Sequence, residues 1–384
     1  MNTENAGRRR RGMRLFTFMV IICALTVTAV WAAAGVSKAQ PLAASGPACN
    51  SSFNPYRYAL AQIRACGYAI YPVLATVDMP GGGSAVEYKM KNAMVRNLIP
   101  PPGFRPESAS AAALDEYGFP ARPAQAARLS LWRREMSRWR SAVPPTPYLA
   151  ETKTRVTADT ESSYNWAGYV ISAPSGGSSS FSQAEAWYYE PTIAAGSCSP
   201  ASEVTWAGLG GWSGDTLVQG GTAWNSSGVD AHEAWWEIVP FNNLTPLNYY
   251  ATPGQEFDAS VTATGSGYSF WFLNYATGQS DAFDVAYPGA GNGLSAEVVV
   301  ERPTIGTSLA DLADFQTLQV AQSQAWLNGS ADGETFDTFP PQADPATGLW
   351  RHGVHMESTA GTDLADPSGI QAGGAFQVTQ HSCG

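Results

Sequence analysis

Positive charge nearly disappears from this chain after residue 160. From there to residue 384 only Arg302 and Arg351 stand against 23 aspartates and glutamates, a net of −21, and there is no lysine. A surface of that sign cannot neutralise phosphates, so nucleic acid is excluded as a partner. Charge of either sign is scarce, 14% of 384 residues, which argues against a cytosolic helical protein. Familiar hydrolase signatures are missing too. No Asp-Thr-Gly or Asp-Ser-Gly occurs, which excludes a pepsin-type aspartate pair. G-x-S-x-G is also absent, and GWSG at 211–214 is only a near match. HEAWWE at 232–237 lacks the second histidine of H-E-x-x-H, and no cysteine pair has ligand spacing, so neither metal nor cofactor is expected. His352 and His355, beside Gly353, read as surface or turn histidines.

What the chain does contain divides in two. Residues 1–159 hold the other 20 lysines and arginines against nine acids, a net of +11. Arg8 to Arg11 and Arg14 precede an apolar run from Leu15 to about Val36, followed by small residues. That is the layout of a signal peptide over 1–39; an uncleaved anchor is the alternative reading. Secretion is therefore expected, with no stable membrane association once the segment is removed. Cysteine usage agrees with an oxidising compartment, and Cys49–Cys66 with Cys198–Cys383 is the preferred of three connectivities. Asn50, Asn225, Asn243 and Asn328 lie in N-x-S/T sequons, which matter only in a eukaryotic host.

Residues 40–143 read as a basic, partly helical pro-region with Pro-rich joints near 98–106 and 118–123. Leu129, Trp132, Met136 and Trp139 form a helical apolar stripe with arginines around it, expected to face the acidic part. Residues 144–163 have linker character, and a maturation cut is expected there. From 164 to 384 short alternating apolar stretches, about a dozen, are separated by Gly, Ser, Asn and Pro turns. This predicts an all-β antiparallel sandwich, jelly-roll-like, without internal repeats.

Two of those stretches carry candidate chemistry. In LSAEVVVERP (294–303) strand alternation puts Glu297, Val299 and Glu301 on one face. In GDTLVQGGTAW (214–224) it puts Leu217, Gln219 and Gly221 on one face. A carboxylate in so apolar a strand must be paired, hydrogen-bonded or open to a cleft, although strand periodicity alone favours a solvated sheet face. In HEAWWEIVP (232–240) Glu233, Trp235 and Glu237 share a face, which suits either a polymer-binding groove or a core tryptophan with rim acids.

With Gln219 and Glu297 together, the chain resembles the eqolisin-type glutamic peptidases. The matching stretches are YNWAGYV (164–170), VTWAGLGGWSGDTLVQGGT (204–222), EAWWEIVP (233–240), PGQEFDASV (253–261), SAEVVVERP (295–303) and LADFQTLQV (312–320). The resemblance implies two seven-stranded antiparallel sheets, with catalytic residues at Gln219 and Glu297. It also implies a groove lined or supported by Trp166, Trp206, Asp215, Glu233, Trp235 and Glu237. Two departures stand out: Gly210 replaces an Asp of the family's W-V-G-I-D-G, and Val298 replaces a Trp of A-E-W-I-V-E.

The expected reaction is hydrolysis of protein or peptide substrates by a secreted monomer. Ionised Glu297, near its ordinary pKa of about 4.3, acts as general base on water, and the Gln219 amide donates to the oxyanion. The basic pro-region is expected to serve as an intramolecular inhibitor, attracted near neutrality and released in acid. Alternatives are a non-catalytic jelly-roll module binding carbohydrate or peptide, and a two-carboxylate glycosidase using Glu237 and Glu297.

Overall fold

The computed structural model describes residues 60–143 except 67, 68 and 92, residues 149–150, and residues 162–384 except 177–178, 195, 197, 199–200, 213–215, 226–231, 289 and 306–307. The expected signal peptide, Cys49, Asp215 and residues 151–161 of the expected linker lie outside the described residues.

A short helix (Leu60–Ala65) and a two-residue strand (Ala69–Ile70) precede three longer strands, β1 (Val73–Asp78), β2 (Ser84–Met90) and β3 (Ala93–Ile99), which are followed by helices α1 (Ala111–Glu116) and α2 (Ala126–Arg138). The next strands are β4 (Trp166–Ser172), β5 (Phe181–Tyr189), β6 (Ala201–Leu209), β7 (Leu217–Asn225), β8 (His232–Val239), β9 (Thr245–Ala251) and β10 (Glu256–Ala263). The last are β11 (Gly267–Asn274), β12 (Gln279–Ala286), β13 (Ser295–Glu301), β14 (Thr317–Leu327), β15 (Trp350–Glu357), β16 (Asp363–Pro367) and β17 (Phe376–Gln380).

From β4 onward these strands form the expected sandwich. The front sheet runs β9-β8-β7-β6-β13-β4-β15, every neighbour antiparallel. The back sheet runs β12-β11-β10-β5-β14-β17-β16, again antiparallel. β15 stitches the two together: Trp350–Val354 pair with β4, and Met356 and Glu357 with β16. Strand alternation fills the space between the sheets, with Ala296, Val298 and Val300 on one side and Phe257, Phe270, Phe272 and Phe283 on the other. A Cys198–Cys383 disulfide ties the approach to β6 to the chain end, and Cys66 is also disulfide-bonded.

The hairpin β1–β3 was not anticipated from the Pro-rich character of its surroundings. β3 pairs with β12 and extends the back sheet, while Tyr88, Met90, Ala93 and Val95 enter the core between the sheets. The helical stripe falls where expected. Trp132 and Met136 are buried against Trp271, Leu273, Tyr275 and Ala282 on the outer face of the back sheet. Arg138 bonds Glu256 at 2.9 Å and covers the Tyr275 ring. Among the described residues, none of 60–143 belongs to the cluster on the front sheet's outer face. The described part of the basic region therefore sits on the sheet opposite the candidate site.

That back interface buries three carboxyl groups together: Glu135 of α2, Glu185 of β5 and Asp258 of β10. Burial lifts Glu135 to about 7, and burial followed by the proximity of Glu135 lifts Glu185 to about 8. Burial, then both neighbours, drives Asp258 well above the carboxylate range. Trp271 Nε1 donates to Asp258, Gln183 Nε2 donates to Glu185, and Arg134 and Arg128 lie close by, but these only partly offset the loss of water. Between the sheets, burial raises Glu190 to about 7. Burial alone would lower His232, yet Glu190 and Glu203 lift it to about 9.

Every one of these shifts has the same sign. The folded protein holds protons that the unfolded chain releases above about 4.5 for the acids and 6.5 for His232, so stability must fall as pH rises from there toward 7–9. Thermal melts should show the highest Tm on the acid side of neutrality and a steady decline to about pH 8. Glu135→Gln should flatten that decline, and an unchanged slope in this variant would contradict the assignment of protons to the interface.

Candidate active site on the front sheet

Register places six residues in one row across the front sheet. Glu237 lies opposite Gln219, Gln219 opposite Gly208, Gly208 opposite Glu297, Glu297 opposite Val170, and Val170 opposite His352. Residues directly opposite point to the same face, so Gln219 and Glu297 project side by side with only Gly208 between them. Two strand spacings put their backbones roughly 10 Å apart, a gap that two long side chains can narrow around a small group.

Gly208 is required by what fills that gap. A Cβ there would lie 2.8 Å from Cζ3 of Trp206 and 2.9 Å from the Val218 carbonyl. The Trp206 ring thus covers the space that any larger residue at 208 would need. Trp166 meets Trp206 edge-on at 5.0 Å and stacks over Trp212 at 6.4 Å. Chain reversal after β6 uses Gly210 and Gly211, with φ of 79° and 91° in the left-handed region that favours glycine. This turn brings the Trp212 N–H to Glu297. At position 210, where the family's Asp is missing, this chain uses the freedom of glycine.

Both members of the candidate pair are buried, Glu297 at 0% and Gln219 at 1% exposure. Gln219 Nε2 donates to Glu237 Oε2 at 2.7 Å, and its Oε1 has no hydrogen-bond partner. Neither Glu297 oxygen makes a well-formed hydrogen bond. Burial pushes Glu297 well above the carboxylate range, and the nearby Ser295 hydroxyl and Trp212 N–H counter this only in part. Burial thus favours the protonated form of Glu297 in this covered state, against the sequence expectation of an ordinary carboxylate. The side chain becomes a base only when water or substrate enters.

The remaining expected residues fall into two groups. Trp166, Trp206 and Trp235 are 0–1% exposed, so they underlie the face rather than offering rings to solvent. Glu233 is half-buried and accepts from the Tyr250 hydroxyl at 2.8 Å. Glu237 holds the Gln219 amide. His352 corrects the surface reading: it lies in β15, is 6% exposed, bonds Ser172 Oγ at 2.8 Å, and packs against Trp350 and Trp212. His232 faces the opposite way, between the sheets, against Glu190 and Glu203 at 3.1 and 3.4 Å.

Residues 164–338, which include Gln219 and Glu297, match the sequence profile of the Peptidase A4 family. On that match the chain is similar to the eqolisin-type glutamic peptidases. It is therefore a peptidase acting on protein or peptide substrates. Two crystal structures of scytalido-glutamic peptidase are similar to it. One, with a peptide based transition state analog, aligns over 57% of this chain and 98% of that one, at 19% identity and a TM-score of 0.45. The other, with a transition state analog inhibitor, covers the same shares at 18% identity and 0.46. No curated protein matches.

Sequence reading overlooked Glu301 as part of the peptidase's site. Its Oε2 accepts from Trp206 Nε1 at 2.8 Å and its Oε1 from Asn165 Nδ2 at 3.1 Å. Alternation had already put it on the face of Glu297; the missing signal was which indole it meets. Because Glu237 fixes the direction of the Gln219 amide, Glu237→Ala should lower kcat by about 10- to 100-fold while the protein remains folded. Peptide hydrolysis measured beside circular dichroism checks this, and wild-type kcat in a folded variant would remove Glu237 from the machinery.

Proposed function

We propose that this protein is a secreted, acid-acting endopeptidase made as a pro-protein, with Gln219 and Glu297 as its hydrolytic pair. The observation carrying this reading is the cross-strand row in which an amide and a carboxyl flank Gly208, with one unsatisfied oxygen on the amide and two on the carboxyl. When a peptide enters, Glu297 takes a proton from water as that water attacks the scissile carbonyl. The Gln219 N–H donates to the oxyanion, and an amide does so at any pH. Glu297 then passes the proton to the leaving amine. Since both side chains are covered, substrate reaches them only when the front face opens.

Acid action fits the protonation of the fold, whose buried carboxyls stabilise it below neutrality. In this scheme residues 1–39 direct export, residues 40–143 restrain the enzyme, and a cut within 144–163 releases the mature monomer. Restraint by residues 60–143 is indirect, because they cover the back sheet. The glycosidase alternative would use Glu237 and Glu297, which stand three strand spacings apart, with Gln219 and Gly208 between them.

The test is incubation of purified full-length protein at about pH 3–4 and at pH 7, spanning the ordinary carboxylate range, followed by intact mass and digestion of denatured casein. Wild type should shorten near residues 150–163 and digest casein in acid only. Gln219→Ala and Glu297→Ala should lose activity by about two to four orders of magnitude. Near-wild-type activity in either variant would overturn the pair.

A further inference from the structure

Glu301 has a second role beyond satisfying buried donors. It stands four residues from Glu297 on the same face of β13 and is 2% exposed. Its partner Trp206 is fully buried, with its pyrrole N–H against Glu301 and the opposite, benzo edge over Gly208. The indole thus reaches from Glu301 to the gap between Gln219 and Glu297. Rotating it about its side-chain bonds would move the benzo edge out of that gap and disturb Trp166, which touches it edge-on.

Resting on the pair assigned above, we propose that Glu301 is a positioning residue for peptide hydrolysis: it anchors the Trp206 indole that forms the floor between Gln219 and Glu297. The anchor is itself braced. Asn165 donates to the other carboxyl oxygen, and the Ser163 hydroxyl bonds Asn165 Oδ1 at 3.0 Å and accepts from the Trp166 N–H at 3.1 Å. The segment leading into β4 therefore holds Glu301, Glu301 holds Trp206, and Trp206 shapes the floor. Burial lifts Glu301 to about 7 despite these donors, so it is uncharged throughout the acid range and acts there through hydrogen bonding.

The test is a cycle in the full-length chain, with Glu301→Ala, Glu301→Gln, Trp206→Phe and the double variant Glu301→Ala/Trp206→Phe assayed on a fluorogenic peptide in acid. Near-ultraviolet circular dichroism and melting set the folded fraction. Glu301→Ala should lower kcat by about 10- to 100-fold with KM changed by less than about threefold, because the loss is one of alignment. Glu301→Gln keeps an oxygen for the indole N–H and should stay within about fivefold of wild type.

Trp206→Phe removes the donor, so adding Glu301→Ala to it should cost almost nothing more. A folded Glu301→Ala with wild-type kcat, or one whose loss recurs in full on the Trp206→Phe background, would overturn the proposal. Should Glu301→Ala not fold, wild-type kcat in folded Trp206→Phe would do the same. Glu297→Gln is the separate control. If it remains active, the hydrolytic pair is wrong; if it is inactive while the cycle fails, only the role of Glu301 is.

Discussion

A carboxyl group shut inside a sheet with few donors resists ionisation, and the front face is built around that constraint. Glu297 sits on a strand whose seven residues are all buried, between β6 and β4. Its neighbours supply no cation, only Ser295 and the Trp212 N–H. A group so placed is neutral until water arrives, and hydration then lowers its pKa toward the ordinary range so that it can ionise and serve as a base. The amide beside it needs no such control. Glu237 aims its N–H donors and leaves its oxygen unused, so one partner is fixed in direction while the other changes charge.

The tryptophans make that arrangement possible. Trp206, Trp166 and Trp212 pack in contact, and removing the side chain at 208 gives the first of them room under the pair. Each indole N–H in such a layer needs an acceptor or a penalty results, and Glu301 accepts from Trp206. A second glutamate on β13 thereby serves the first without touching it.

Strand alternation made the sandwich and the faces carrying Gln219 and Glu297 legible in the sequence, because period two assigns faces without knowledge of neighbours, whereas their pairing came from the family resemblance. Register was not legible. Only the pairing of β6 with both β7 and β13 reveals that Gly208 separates the two residues. The same limit hid the bond between Glu237 and Gln219, which lie on different strands, and the burial of His352, whose strand contains Gly353 and reads like a turn in sequence. The hairpin β1–β3 escaped for a different reason. Its alternation is real, but its place in the sheet depends on β12, almost 200 residues later.

Net charge alone did not show how the two parts meet. A segment of +11 ahead of one of −21 suggested docking near neutrality and release in acid. The described interface holds one close arginine–carboxylate pair, Arg138–Glu256, together with three buried carboxyls that keep their protons. Acid leaves those three protonated and the apolar contacts of Trp132 and Met136 unchanged. β3 also contributes a strand and core residues to the sandwich, so lowering the pH alone gives residues 60–143 no reason to leave. In a pro-protein built this way, activation must come from cutting the chain or from opening the front face, with the back sheet still covered.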